Sequence, residues 1–156
     1  KDLVDPYGLF NPNKIINPPK HDDQRLFRFD ASYEDRVKVH GAIETGFDWS
    51  HWGDFSKAVE MCNNNGACRK TDPGVMCPSY RVTKDEKDVV RGRANSLRLA
   101  LSGRLGENAL TSDAMAETMK LCVACKACQN ECPTSVDMGK MKAEFAYQRA
   151  KVHRTS

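Results

Sequence analysis

The 156-residue sequence predicts an all-α fold, and three observations predict it. Val90, Ala94, Leu97, Leu101 and Leu105 recur at i, i+4, i+7, i+11 and i+15, one face of a long amphipathic helix. Three helix-start signals each precede an apolar stripe: Thr83-Lys84-Asp85-Glu86, Thr111-Ser112-Asp113 and Thr134-Ser135-Val136-Asp137. The cysteine motifs fall at the ends of these segments, not inside tight β-hairpins.

Residues 1–20 hold four of the seven prolines together with Gly8, Asn11, Asn13 and Asn17, which predicts irregular chain. Residues 21–54 are mixed and read as a linker or packing arm, with an aromatic cluster at Phe47, Trp49, Trp52 and Phe55. The helical domain is expected over 55–156. Its first helix runs from Phe55 to Met61 and stops at Asn63-Asn64-Asn65-Gly66. Thr83 as N-cap and Glu86 at N3 form a capping box for the long helix, whose far end Gly103 and Gly106 weaken. Ser112 and Asp113 open a helix carrying Met115, Met119 and Cys122. The segment after Pro133 opens another, striped by Met138, Met141, Phe145 and Val152. These stripes are expected to be core. Arg91, Arg93, Arg98 and Arg104 are expected to form a solvated face, with a role only if an anionic group lies beside it.

Composition narrows the function. Hydrophobic residues at 40% against 29% charged are ordinary for a globular protein, and 8% aromatics leave the core to aliphatics, Met and Ala. A formal charge of +3 is too small and dispersed to argue nucleic-acid binding. No apolar stretch is long enough to span a bilayer, and no signal-peptide pattern opens the chain. The expected setting is cytoplasmic and reducing, either free or peripheral at the inner membrane. The start at Lys1 reads as the middle of a larger polypeptide.

The chemistry lies in Cys122-Val123-Ala124-Cys125-Lys126-Ala127-Cys128-Gln129-Asn130-Glu131-Cys132-Pro133. This C-x2-C-x2-C-x3-C-P spacing is the bacterial-type iron–sulfur run, in which three thiolates hold one cubane and the fourth reaches elsewhere. Cys62, Cys68 and Cys77-Pro78 form a stretched relative of it. Exchange of fourth ligands assigns Cys77, Cys122, Cys125 and Cys128 to a first [4Fe–4S] cluster. It leaves Cys62, Cys68 and Cys132 for a second, [4Fe–4S] or [3Fe–4S], with one ligand missing, or as buried thiols. A helical ferredoxin-like domain is the expected scaffold. Lys126 and Lys120 are expected to tune the cluster by charge. The four histidines show no ligand spacing. No Ser-His-Asp set, phosphate loop or carboxylate pair is present, so no catalytic residue is assigned. A structural zinc site is the competing reading, although a third Cys at the same spacing has no place in paired zinc motifs.

Several further segments combine with these: Ala58–Cys62, Gly66–Lys70, Met76–Tyr80, Arg91–Asn95, Cys128–Pro133, Val136–Met138 and Lys142–Phe145. Together they resemble the iron–sulfur region of large FAD-linked D-2-hydroxyacid dehydrogenases, of the D-lactate and D-2-hydroxyglutarate type. Val4–Lys14 resembles the closing segment of a vanillyl-alcohol-oxidase-type flavin domain, with Asn13 where that segment usually has Gly. The resemblance implies that residues 1–20 are the tail of a FAD-linked domain in the same polypeptide, with Asn11 and Lys14 near its flavin. It also implies an oxidoreductase acting on the CH–OH group of a D-2-hydroxyacid. The cluster would relay single electrons to a quinone or soluble carrier, and this segment alone would not turn over substrate. Two other readings fit the residues: a metal-stabilised protein-interaction module, and a separate ferredoxin-like subunit of an anaerobic complex.

Overall fold

A computed structural model describes residues 1–154. The chain divides into two units, Lys1–Tyr33 and Glu34–Ser156. The first consists of turns and bends with a single 3-10 turn at Gln24–Leu26, capped by Asp23, whose carboxylate accepts from the Arg25 N–H. Within it the Asp5 carboxylate organises the opening residues by accepting from Leu9 N (2.8 Å) and Phe10 N (3.0 Å) and pairing with Lys1. The Lys1 ammonium holds the Asp5 carboxyl below its usual range.

The second unit is helical, and no β-strand occurs among the described residues. Its α-helices are α1 (Tyr33–His40, its first residue belonging to the first unit), α2 (Phe55–Glu60), α3 (Pro78–Thr83), α4 (Val90–Leu101), α5 (Asp113–Lys120), α6 (Ala127–Glu131) and α7 (Met138–Arg154). Local chemistry sets most ends. Asp54 caps α2 by accepting from Lys57 N at 2.8 Å, and Ser112 Oγ caps α5 by accepting from Met115 N at 3.2 Å. Asp137 does the same for α7 through Lys140 N at 2.9 Å. Pro78 starts α3, where a missing N–H costs nothing.

The capping box at Thr83 does not form. Thr83 is the last residue of α3, and its hydroxyl donates back to Ser79 O at 3.2 Å. Left-handed Lys84 ends that helix, and Asp85 caps the following 3-10 turn, Glu86–Asp88, through Lys87 N. That turn lies against α4 at Gly92, where a Cβ would stand 1.9 Å from Glu86 O, so only glycine permits the approach.

Helix α4 packs on α2, α5 and α7. Val90, Ala94, Leu97 and Leu101 are buried, as their periodicity requires. Leu105 is exposed because the helix ends at Ser102 and the chain turns through left-handed Gly103. Met138, Met141 and Phe145 of α7 reach the core, whereas Val152 is exposed near the helix end. The arginine face divides: Arg104 is exposed, but Arg93 and Arg98 are buried. Glu144 of α7, fully buried, ties the segment before α2 to the bundle. It accepts from Gly46 N and Phe47 N (both 3.1 Å), Trp49 Nε1 (3.0 Å) and Gln148 Nε2 (2.8 Å). Trp49 in turn packs against Phe55 with ring centroids 4.9 Å apart and planes tilted by 51°, and Lys140 Nζ lies 4.3 Å from its ring centre. No helix of the described residues is long and apolar enough to cross a membrane.

Candidate metal centre

Helix ends deliver the cysteines. Cys62 follows the C-terminus of α2, and Cys68 lies in the 3-10 turn Ala67–Arg69. Cys77 is the N-cap of α3, Cys122 and Cys125 stand in the loop from α5 to α6, Cys128 is in α6 and Cys132 is its C-cap. None of the seven is in a disulfide. Cys77, Cys122, Cys125 and Cys128 line one cavity, together with Val90, Arg93, Lys126 and Met138. Cys62, Cys68 and Cys132 are not on its wall.

The backbone is unusual along these segments. Cys77 (φ 55°), Ala124 (φ 51°) and Lys126 (φ 62°) are left-handed without being glycine, at a cost of about 1–3 kcal/mol each. Such strain persists only where the surroundings over-determine it, and left-handed residues turn successive N–H groups toward one side of the chain. Helix N-termini add to this. Val90 N–H at the start of α4 and Tyr80 N–H in α3 point at Cys77. Met138 and Gly139 N–H groups at the start of α7 point at Cys128, and Arg91 N–H at Cys68. Donors of this kind favour the thiolate.

Burial opposes them. It pushes the Cys68 thiol up to about 11, and it raises Cys77 and Cys128 as well. The Arg93 guanidinium works against that rise at Cys77. Because a bound metal needs thiolates, loading releases protons from these groups.

Arg93, like Arg98, is buried where the sequence reading expects a solvated face. Its side chain is 1% exposed. Nη1 lies 3.8 Å from Cys77 Sγ and donates to Asp88 O at 2.6 Å, Nη2 donates to Ser79 Oγ, and Nε donates to Thr118 O. The Asp88 carboxylate is 3.6 Å away. A signal was available: Arg93 falls at i+3 from Val90, on the apolar stripe itself. Of the two lysines, Lys126 lines the cavity and pairs with Asp137 at 2.8 Å, whereas Lys120 pairs with Glu117 on the surface and does not reach it. Glu131 went unnoticed. Its carboxylate accepts from Val75 N (2.8 Å) and Met76 N (3.0 Å), bracing the turn into Cys77 against the end of α6.

The donor set around the cavity is all thiol, the ligand type an iron–sulfur cluster takes. Among the described residues no three His, Cys, Asp or Glu side chains converge as one ion requires. Four thiols line one cavity, and a cubane takes one sulfur on each of its irons. After burial, Cys68 feels first Cys77 and then Cys62 among the other thiols. Ala67 and Glu131, the chain neighbours of Cys68 and Cys132, line one small cavity.

Residues 58–136 match the family model described as 4Fe-4S dicluster domain. Similar curated proteins include the D-2-hydroxyglutarate dehydrogenases of Pseudomonas putida (28% identical), Escherichia coli (26%) and Haemophilus influenzae (26%), each over 93% of this chain. The chain spans only 17% of the length of those relatives. No solved structure is a significant match.

Proposed function

The chain belongs to the 4Fe-4S dicluster domain family, and from that premise we propose that it is the electron-relay module of a FAD-dependent D-2-hydroxyacid dehydrogenase. Cys77, Cys122, Cys125 and Cys128 are the ligands of its first cluster. One observation carries this: thiols from two motifs far apart in sequence face one cavity, beside a buried guanidinium that balances negative charge. When bound, the group supplies one-electron transfer, dividing the two-electron oxidation of a hydroxyacid into single steps. The chain's own residues shape that service. Val90 and Met138 give the cavity apolar walls. N–H groups at the starts of α4 and α7 stabilise sulfur charge, and Arg93 and Lys126 add positive charge.

D-2-Hydroxyglutarate is the substrate that the relatives' names suggest for the whole polypeptide. Residues 1–20 are then the tail of its flavin domain, with Asn11 and Lys14 near the FAD, residues 21–54 the connecting arm, and 55–156 the cluster domain. A quinone or soluble carrier takes the electrons, in the cytoplasm or at the inner face of the membrane. Cys62, Cys68 and Cys132 hold the family's second cluster. The test is anaerobic loading followed by iron and sulfide analysis with EPR of the reduced protein. Cys77→Ser is expected to remove about four irons and one of two signals. Zinc without sulfide refutes the relay and leaves a structural module.

A further inference from the structure

The two cysteine segments are built on one backbone plan, sixty residues apart. Cys62 N–H donates to Val59 O at the end of α2 (3.4 Å), and Cys122 N–H donates to Met119 O at the end of α5 (3.1 Å). Two residues on, Asn64 (φ 65°) and Ala124 (φ 51°) are both left-handed. Two further on, Gly66 (φ 79°) and Lys126 (φ 62°) are left-handed again. Arg69 N–H then closes on Gly66 O (2.9 Å) as Gln129 N–H closes on Lys126 O (3.0 Å). Cys62 therefore corresponds to Cys122 and Cys68 to Cys128. Their surroundings agree too, since Cys68 and Cys128 are both buried. The residue that corresponds to Cys125 is Asn65, and both are exposed.

We propose that Asn65 stands at the fourth corner of a second cluster held by Cys62, Cys68 and Cys132, leaving the iron there without a thiolate and open to exchange. This rests on the reading that the chain carries two clusters. Asn65 does not replace the missing sulfur with an equivalent donor. Its Oδ1 accepts from Ala67 N at 2.8 Å and its Nδ2 donates to Asn63 Oδ1 at 2.5 Å, so the amide is spent on the turn itself. The turn thus keeps its shape without the cysteine, and the corner faces solvent. An iron held there takes water or a small anionic donor as its outer ligand. A one-electron oxidant such as ferricyanide removes one electron from a [4Fe–4S]2+ core, which then releases Fe2+ and leaves [3Fe–4S]+. Fe2+ with one electron from dithionite restores it.

The test compares wild type with Asn65→Cys and Cys125→Asn in the full-length protein, loaded anaerobically, by iron count and EPR. Wild type is expected to hold about eight irons, to fall to about seven with a three-iron signal after ferricyanide, and to recover with Fe2+ and dithionite. Asn65→Cys keeps about eight throughout. Cys125→Asn gains a second labile iron, so the idea remains testable should the first variant not fold. Wild type holding all its irons under oxidant overturns the proposal, as does a labile iron that persists in Asn65→Cys. About four irons, unaffected by Cys62→Ser or Cys68→Ser, remove the second cluster and with it this inference, while leaving the first cluster standing. No iron and sulfide at all removes both.

Discussion

Replacing Arg93 with Met should lower the reduction potential of the cluster at Cys77. The guanidinium is 1% exposed and lies 3.8 Å from Cys77 Sγ. Two unit charges about 4 Å apart interact by about 4 kcal/mol at an effective dielectric constant of about 20. The electron added on reduction spreads over a cluster centred beyond the sulfur, at roughly twice that distance, which leaves about 2 kcal/mol. Asp88 is present in both proteins and does not alter the difference, and spreading of the added charge over the cluster gives a range of about 1–2 kcal/mol. At about 59 mV per tenfold for a one-electron couple, the expected drop is about 40–90 mV. Arg93→Lys keeps the charge and should recover more than half. Because Met leaves the buried Asp88 carboxylate without its partner, Arg93→Met with Asp88→Asn is the matched control for folding. EPR-monitored anaerobic redox titration at equal iron content reads the shift. A potential within about 15 mV of wild type, or one that rises, refutes the Coulomb argument built on these distances.

Glu144→Ala removes the acceptor of four hydrogen bonds and strands the buried Trp49 indole N–H, while the exposed Gly46 and Phe47 can turn to water and Gln148 keeps Glu44 O. At about 1–3 kcal/mol for the stranded indole and about 0.5–1 kcal/mol for each other bond lost, partly relieved by relaxation, urea denaturation should show a loss of about 2–4 kcal/mol; a loss under about 1 kcal/mol means the indole finds another partner. The Glu131 carboxyl is held below its usual range, chiefly by the backbone N–H groups of Val75 and then Met76. A group whose folded pKa is depressed stabilises above its unfolded pKa, and that contribution fades as pH falls through the folded one. Thermal unfolding across the acid range should therefore show a shallower decline in Glu131→Gln than in wild type, and parallel curves contradict the linkage. Iron removal by a chelator under reducing conditions should lower the melting temperature, because the cluster joins the turn before α3 to the loop before α6.

Much of the fold was legible because it is local. Asp54, Ser112 and Asp137 cap the helices they precede, and the stripe on α4 is buried where its 3.6-residue period places it. Local rules failed where two signals competed. Thr83-Lys84-Asp85-Glu86 has the letters of a capping box, but Lys84 turns left-handed to end α3, so Thr83 closes one helix instead of opening the next. Leu105 extends the apolar period of α4, yet the chain has already turned through Gly103. Arg93 and Glu144 were hidden for a different reason. Charged residues on helices are usually solvated, and only the groups packed against these two make their burial tolerable.

The sequence alone determined the metal chemistry and the helical class. Cysteine spacing within a dozen residues, together with cap and stop signals, acts through the chain's own curvature and needs no distant partner. Tertiary structure decided which arginine charges the cavity that Cys77 shares with Cys122, Cys125 and Cys128, and which carboxylate braces the turn into it. Those outcomes depend on how α3, α4, α6 and α7 pack. Packing sums many weak contacts across the whole core, and no local window of residues contains that sum.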